Sequence, residues 1–250
     1  MNGIDGIDGV TLRATLALAR CELKLLWRNR LVAATALLLP LLLGLALSQN
    51  DGQFGDGGWG AVVGLQILTM LLFAVYASAT TAVAARRREL VLKRLRTSEL
   101  PELAILGGML APMVGLAIVQ ALLLCAMVIA LGAPAPAQPL LLLVAVLGGA
   151  LLCSAAALLT TRVTSTAEMA QVTTMPLFFL ALGGAIWTIS VPSDDVTQLM
   201  LAIPGSAVAE LARCAWNGGG DPLAALAMVA VWTAVLSELA KRTFRWEPRT

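Results

Sequence analysis

The sequence predicts an all-α integral membrane protein with six transmembrane helices and with both termini in the cytoplasm. Three observations support this prediction. Hydrophobic residues make up 59% of the 250 positions and charged residues only 13%, against roughly 45–50% and 25% in soluble domains. The apolar residues are concentrated in six long runs. Nearly all lysines and arginines fall in alternate gaps between those runs.

Each run is long enough to cross a bilayer as a helix, because the hydrocarbon layer needs about 20 predominantly apolar residues at helical rise. The runs are Leu31–Ser48, Ala61–Ala85, Glu102–Leu131, Pro139–Thr161, Glu168–Ser190 and Leu223–Ala240. Barrel strands would instead be segments of about 10 residues that alternate polar and apolar side chains. Stretches such as residues 37–43 are apolar on every side. The runs are therefore predicted to be helices, which close their own backbone hydrogen bonds in lipid.

The basic residues indicate the orientation of the spans, because cytoplasmic loops of membrane proteins carry an excess of lysine and arginine. Of the 17 basic residues, all except Arg213 lie before the first span, between the second and third, between the fourth and fifth, or after the sixth. The opposite face carries acidic residues, including Asp51, Asp56, Asp194 and Asp195. Both termini are therefore predicted to be cytoplasmic.

Residues 11–30 are predicted to form an amphipathic helix on the cytoplasmic membrane surface. At about 100° per residue, one arc is apolar and the adjoining arc is basic. The apolar arc holds Leu12, Leu16, Ala19, Leu23, Leu26 and Trp27. The helix either anchors the chain to lipid or acts as a lever that passes motion from a soluble partner into the first span. Residues 1–10 are predicted to be a disordered tail.

The loop between the second and third spans, residues 86–101, is the only substantial cytoplasmic loop between spans, and its pattern is ordered. Val91, Leu92 and Leu95 share one helical face, and most of the basic side chains lie broadly opposite. A run of charges that only fixes topology needs no such pattern, although that interpretation stays open. The order predicts a helix that docks on a protein or on the membrane surface.

The same loop resembles part of a known family. Arg88 and Glu89, followed by residues 92–101, are similar to the Arg-Glu, Leu-Lys-Arg-Leu-Arg and proline-containing helix start of the ATP-binding-cassette type-2 permeases. These proteins are bacterial membrane subunits of drug, polysaccharide and lipid-linked exporters, the daunorubicin-resistance type among them. The sequence departs from the family pattern at Leu90 and Val91, where a Gly-Thr pair is common.

Other parts of the chain add to this resemblance, which covers nearly the whole length. They are the fifth span, the segment Pro192–Pro204 and the C-terminal residues 242–248. The resemblance implies a single permease domain over residues 11–250, located in the bacterial cytoplasmic membrane. It also implies short re-entrant helices in the last external loop, residues 191–222.

The resemblance further implies partners and a coupling site. In the family, the loop between the second and third spans is a coupling helix that touches the ATPase. The residues of this chain at that place are Arg88, Glu89, Lys93, Arg94, Arg96 and Glu99. The implied partners are ATPase subunits, which hold ATP and Mg²⁺, a second permease copy in a homodimer or heterodimer, membrane lipid, and a hydrophobic substrate.

The energy for transport is predicted to come from outside this chain. A phosphate loop needs a Gly-Lys step followed by Ser or Thr. The sequence has three lysines, Lys24, Lys93 and Lys241, and none of them has such neighbours. No catalytic residue and no cofactor of the chain's own is predicted. An ion-coupled transporter would keep ionisable groups inside the membrane. The middle of every predicted span is uncharged, so proton or sodium coupling is disfavoured.

Four polar residues inside the spans are candidates to line a transport path. They are Gln66, Thr69 and Tyr76 on the second span and Gln120 on the third. Ordinary hydrogen bonding between helices also explains them. Gly107, Ala111 and Gly115 recur every four residues, and such a row of small residues predicts close packing of the third span against another helix.

The composition disfavours other kinds of site. Histidine is absent, which removes the usual general base and the commonest metal ligand. The four cysteines are scattered along the chain, so neither a disulfide framework nor a metal site is predicted. Nucleic-acid binding is not predicted, because the net charge of +2 comes from flanks that face anionic lipid. Two other functions stay open: a non-transport membrane assembly or immunity factor, and an ion-coupled secondary transporter.

Overall fold

A computed structural model of the chain describes residues 58–96 and 101–244. It also describes four single positions, Ala17, Arg20, Leu42 and Trp246. These residues are mostly helical, and no strand occurs among them. The α-helices are α1 (Gly58–Leu71), α2 (Ser78–Arg88), α3 (Val91–Arg96), α4 (Glu102–Ala130), α5 (Pro139–Thr160), α6 (Ala167–Ile189), α7 (Gln198–Leu201), α8 (Ser206–Asn217) and α9 (Pro222–Thr243). A π-helical segment, Leu72–Ala77, joins α1 to α2, and a 3₁₀ turn at Ser193–Asp195 precedes α7.

Five helices are long and apolar enough to cross a membrane. They are Gly58–Arg88, Ala104–Ala130, Pro139–Thr160, Ala167–Ile189 and Pro222–Thr243. They coincide with the second to sixth predicted spans, so these five spans are confirmed as helices of transmembrane length. The predicted first span, interfacial helix and N-terminal tail lie outside the described residues apart from single positions. The count of six spans therefore stays a prediction.

Capping side chains fix where two of these helices begin. The Thr166 side chain accepts a hydrogen bond from the backbone N–H of Met169 at the start of α6, at 3.2 Å. Asp221 accepts one from the backbone N–H of Ala224 at the start of α9, at 3.0 Å. Such oxygens satisfy first-turn amides that have no partner inside the helix. α5 and α9 also begin with proline, which removes an N–H that would have had no helical partner.

The continuous helix Gly58–Arg88 forms the centre of the bundle. Its apolar stretch is 89% buried, whereas that of Pro222–Thr243 is 22% buried. α4, α5, α6 and α8 all pack against α1. The outer helices turn large apolar side chains outward, as α5 does with Leu140, Leu143, Leu147 and Leu151. Such faces suit contact with lipid.

α8 is a short helix sunk into the bundle, and residues 206–216 are all buried. Its neighbours make room for it with glycines. A Cβ at Gly64 of α1 would overlap the backbone carbonyl oxygen of Ala209, and a Cβ at Gly149 of α5 would overlap the side chain of Val208. Because α8 packs beside the first turns of the central helix, it lies at the end of the bundle opposite the arginines that close α2.

The row of small residues on α4 has no packing partner among the described residues. Gly107, Ala111 and Gly115 are exposed, and a Cβ added at either glycine would meet open space. Within the described part of the chain, the row makes no close helix contact. The close backbone contacts occur instead at the glycines around α8.

Candidate coupling and transport sites

The loop predicted to hold one helix over residues 86–101 is divided in the structure. α2 ends at Arg88, Glu89 and Leu90 form a turn, and α3 begins at Val91. Leu90 has a φ of +59°, a left-handed conformation that costs an L-residue roughly 1–2 kcal/mol. Glycine adopts it freely. Leu90 stands where the related pattern commonly has glycine, the residue that this conformation favours.

The apolar side of α3 is anchored in a small hydrophobic cluster. Leu92 is fully buried, and the cluster also contains Val83 of α2, Ile105 and Met109 of α4, and Trp246 near the C terminus. The turn and α3 are therefore held against the ends of two long helices. Motion of this segment must displace those helices or break the cluster.

Charged side chains surround the turn and face outward. Arg86 Nη1 lies 3.3 Å from Glu89 Oε2, and Arg88 Nη1 lies 4.0 Å from Glu168 Oε2 at the start of α6. The side chains of Arg88, Glu89 and Glu168 are 66%, 57% and 79% exposed. Pairs this exposed are screened by water and add little to stability. Their charges therefore face the surroundings of the bundle and not its interior.

The other predicted coupling residues are described less fully. Lys93, Arg94 and Arg96 lie in α3, where only the backbone is described, and Glu99 lies outside the described residues. Among the described side chains, Arg88 and Glu89 are thus brought together at the turn. Glu168 joins them, which the sequence did not predict because it is far away along the chain.

Arg87 differs from the arginines on either side. Its residue is 2% exposed, and its Nη2 donates a hydrogen bond to the backbone carbonyl of Thr164, between α5 and α6. From the sequence alone, Arg87 is only one of the basic residues that set the orientation of the spans in the membrane. Successive helical residues point about 100° apart, so packing alone decides which of three consecutive arginines turns inward.

The four predicted path residues are all buried. The Thr69 hydroxyl donates to the carbonyl of Leu65 in its own helix at 2.8 Å, which accounts for Thr69 without a transport path. The Tyr76 hydroxyl lies 3.0 Å from Thr160 Oγ1 of α5 and so joins two helices. Gln66 lies on α1 and Gln120 on α4.

A small cavity lies beside Tyr76 at the π-helical segment. Its lining includes Leu72, Cys153 of α5, Leu177 of α6 and Gly205, which precedes α8, but not the other three predicted path residues. π-helical turns inside long helices occur frequently at functional sites. Of the four candidates, Tyr76 is the one that the structure places at this cavity.

α8 carries a buried charged pair that the sequence placed in an external loop. Arg213 Nη2 lies 2.5 Å from Glu210 Oε2, and both side chains are at most 2% exposed. Arg213 Nη1 also donates to the carbonyls of Ile189 and Val191, at 3.3 and 2.7 Å, beside the end of α6. A lone buried charge would cost several kcal/mol. The pair and the two carbonyls together make this burial tolerable.

The thiol next to this pair, that of Cys214, has low reactivity. Cys214 Sγ donates to Glu210 Oε1 at 3.3 Å. Burial, together with the negative charge of Glu210, raises the pKa of the Cys214 thiol to about 12. The reactive form of cysteine is the thiolate, so Cys214 is unreactive at neutral pH while α8 stays in place.

Comparison with known families decides what kind of protein carries these features. The sequence profile of the family described as "ABC-2 family transporter protein" matches residues 36–239, which is more than half of the chain. The chain belongs to the ABC-2 transporter family. No curated protein and no solved structure matches it. The matched region begins inside the predicted first span and ends in α9, so it includes the α2–α3 turn, the cavity and α8.

Membership of this family implies a partner subunit for the chain. ABC-2 permeases are membrane subunits whose ATPase resides in a separate subunit. The resemblance read from the loop sequence is thereby confirmed at the level of the family, and the chain is a multi-pass membrane protein of transport type.

Proposed function

We propose that this ABC-2 family chain is the membrane-spanning permease subunit of an exporter in the bacterial cytoplasmic membrane, with both termini inside. It moves a hydrophobic or amphipathic substrate, such as a drug, a peptide or a lipid-linked glycan, out of the cytoplasm. A separate ATPase, which binds ATP and Mg²⁺, drives alternating access in a dimer of such subunits. The family and the missing phosphate loop support this division of roles.

The observation that carries the proposal is the outward-facing charged turn between α2 and α3. Leu92 fixes the apolar side of α3 in the bundle, while Arg88 and Glu89 face away from it. A partner that binds these charged side chains and moves would move α2, which is joined to α1 by the π-helical segment. A loop that only sets topology needs no such anchoring.

We place the transport path beside Tyr76, where the cavity adjoins the central helix, α5 and α6. Gln66, Thr69 and Gln120 are buried in helix contacts of one subunit, so they would reach a substrate only after the bundle opens. The segment around α8 would close the external end, which fits its place opposite the charged turn.

Ion-coupled transport is less well supported. Among the described residues, Glu210 is the one buried acid, and its charge is already paired with that of Arg213. A membrane assembly or immunity factor would share the fold without needing an ATPase. Binding of an ATPase to the charged turn therefore separates these functions.

Replacing both Glu89 and Arg94 with alanine is expected to abolish transport and to reduce co-purification of the ATPase. If the contact excludes water, each lost charge pair weakens association by about 1–3 kcal/mol, and by much less at an exposed rim. Insertion should be normal, because the other basic residues still fix orientation. Pull-down of the ATPase and uptake into inside-out vesicles measure the two effects.

The matched control is the pair of changes Glu238→Gln and Arg242→Gln. These residues form an exposed ion pair of 2.7 Å at the end of α9, on the same side of the bundle as the turn. Removing them should leave pull-down and transport unchanged. If the Glu89 and Arg94 variant binds the ATPase and transports like the unmodified protein, the turn only sets topology and the proposal is wrong.

A further inference from the structure

Arg87 connects the coupling turn to a second part of the bundle. It is the buried member of the three arginines at the end of α2, and it donates to the Thr164 carbonyl. A backbone carbonyl is fixed by the chain around it. The bond therefore ties the end of α2 to the loop between α5 and α6.

The tie continues as a chain of hydroxyl contacts. Thr164 Oγ1 donates to the carbonyl of Thr160 at 3.0 Å and lies 2.7 Å from Thr173 Oγ1 of α6. Thr160 Oγ1 in turn lies 3.0 Å from the Tyr76 hydroxyl. At the rim, Arg87 thus links the end of α2 to the α5–α6 loop, and Thr173 links that loop to α6. Deeper in the bundle, Tyr76 links the π-helical segment to the end of α5.

The π-helical segment lies where this linked region meets α1. Its wider turn interrupts the regular ladder, and the Ser78 hydroxyl donates to the carbonyl of Phe73 at 2.9 Å. Such interruptions are places where long helices bend. Tyr76 stands in this segment and lines the cavity together with Cys153 of α5 and Leu177 of α6, so a tilt that carries α2 and the ends of those two helices together would reshape the cavity.

We propose that Arg87 is a positioning residue of the transport cycle: its bond to the α5–α6 loop makes α2, the end of α5 and the start of α6 move as one body about the π-helical segment when the partner pulls on the charged turn. This inference rests on the proposed function and adds the route by which the cavity receives the motion. Without Arg87, α2 would move alone and the cavity would not respond.

The native thiol of Cys153 provides a reporter at the cavity end of this route. Cys153 is 2% exposed and lines the cavity with Tyr76. In a background with Cys21→Ser, Cys125→Ala and Cys214→Ala, Cys153 is the only thiol. Its labelling by N-ethylmaleimide is measured in proteoliposomes that contain the ATPase, without nucleotide and with ATP and vanadate.

In the protein with Arg87 intact, the rate at which Cys153 is labelled is expected to differ by at least about fivefold between the two nucleotide states. This is the lower end of the usual coupling between two sites. The Arg87→Gln variant should lose this difference while it still binds the ATPase and hydrolyses ATP. The matched control is Arg242→Gln at the end of α9, on the same side of the bundle but outside the turn, whose side chain is 73% exposed. It should keep the difference.

A second variant serves if Arg87→Gln does not insert. Thr160→Val combined with Thr173→Val keeps the side-chain shapes and removes two hydroxyls of the chain, and it should reduce the nucleotide response as well. A full response in Arg87→Gln, or in the double valine variant when Arg87→Gln fails to insert, overturns the positioning role. If the protein with Arg87 intact binds no ATPase and shows no response, the proposed function itself fails, and the positioning role with it.

Discussion

Replacing Arg213 with methionine is expected to destabilise the protein by about 3–5 kcal/mol, because breaking one side of a buried ion pair leaves the other charge uncompensated. Glu210 would then be buried without its partner, and the carbonyls of Ile189 and Val191 would lose their donor. The melting temperature of the detergent-purified protein and the yield of monodisperse protein should both fall sharply.

The partner residue supplies the control for this effect. If the cost arises from an unpaired charge, Glu210→Gln in the Arg213→Met background should recover part of the lost stability, because the amide carries no charge. The exposed ion pair of α9 should show no comparable effect when Arg242 is changed to Gln, since exposed pairs contribute little. An Arg213→Met protein that melts like the unmodified chain would show that α8 does not depend on this pair.

A valine at Gly64 is expected to be comparably damaging. Its Cβ would overlap the carbonyl oxygen of Ala209, which belongs to the α8 backbone and cannot swing aside as a flexible side chain can. Overpacking a tight contact costs typically about 1–3 kcal/mol, and rigid backbone on the far side places this site at or above the top of that range. Melting temperature and yield again measure the loss.

Gly115→Val is the matched control, because it makes the same change in another long apolar helix where a Cβ meets open space. It should leave the melting temperature nearly unchanged. Equal stability of the two valine variants would mean that α1 and α8 are not in close contact.

The spans were predictable because lipid imposes a length and an apolar composition on any helix that crosses it. The runs from Ala61 and from Pro139 show this, since each continues without a charge for the thickness of the hydrocarbon layer. The loop resemblance likewise identified the family. The spacing placed Leu92 on the apolar face of a helix predicted to dock on a protein or on the membrane surface, whereas in the structure Leu92 is buried against helices of its own chain.

The contacts that position the candidate sites could not be predicted in this way. Arg86, Arg87 and Arg88 are identical in type, and only the packed bundle turns the middle one inward. Gly107 and Gly115 belong to a regular repeat of small residues, yet nothing among the described residues packs against them. Gly64 belongs to no such repeat, yet it lies against the backbone of α8. The identity of a neighbour depends on the tertiary arrangement, which spacing along one helix does not contain.

ATP hydrolysis by the purified chain, measured with and without its cognate ATPase, tests the division of roles most directly. The chain alone should give no turnover, since it lacks a phosphate loop. The complex should hydrolyse ATP, and mutation of the charged turn should either change the rate of hydrolysis or cause the complex to dissociate. Robust turnover by the isolated chain, at a rate that survives removal of contaminating ATPases, would contradict a permease driven by a separate subunit.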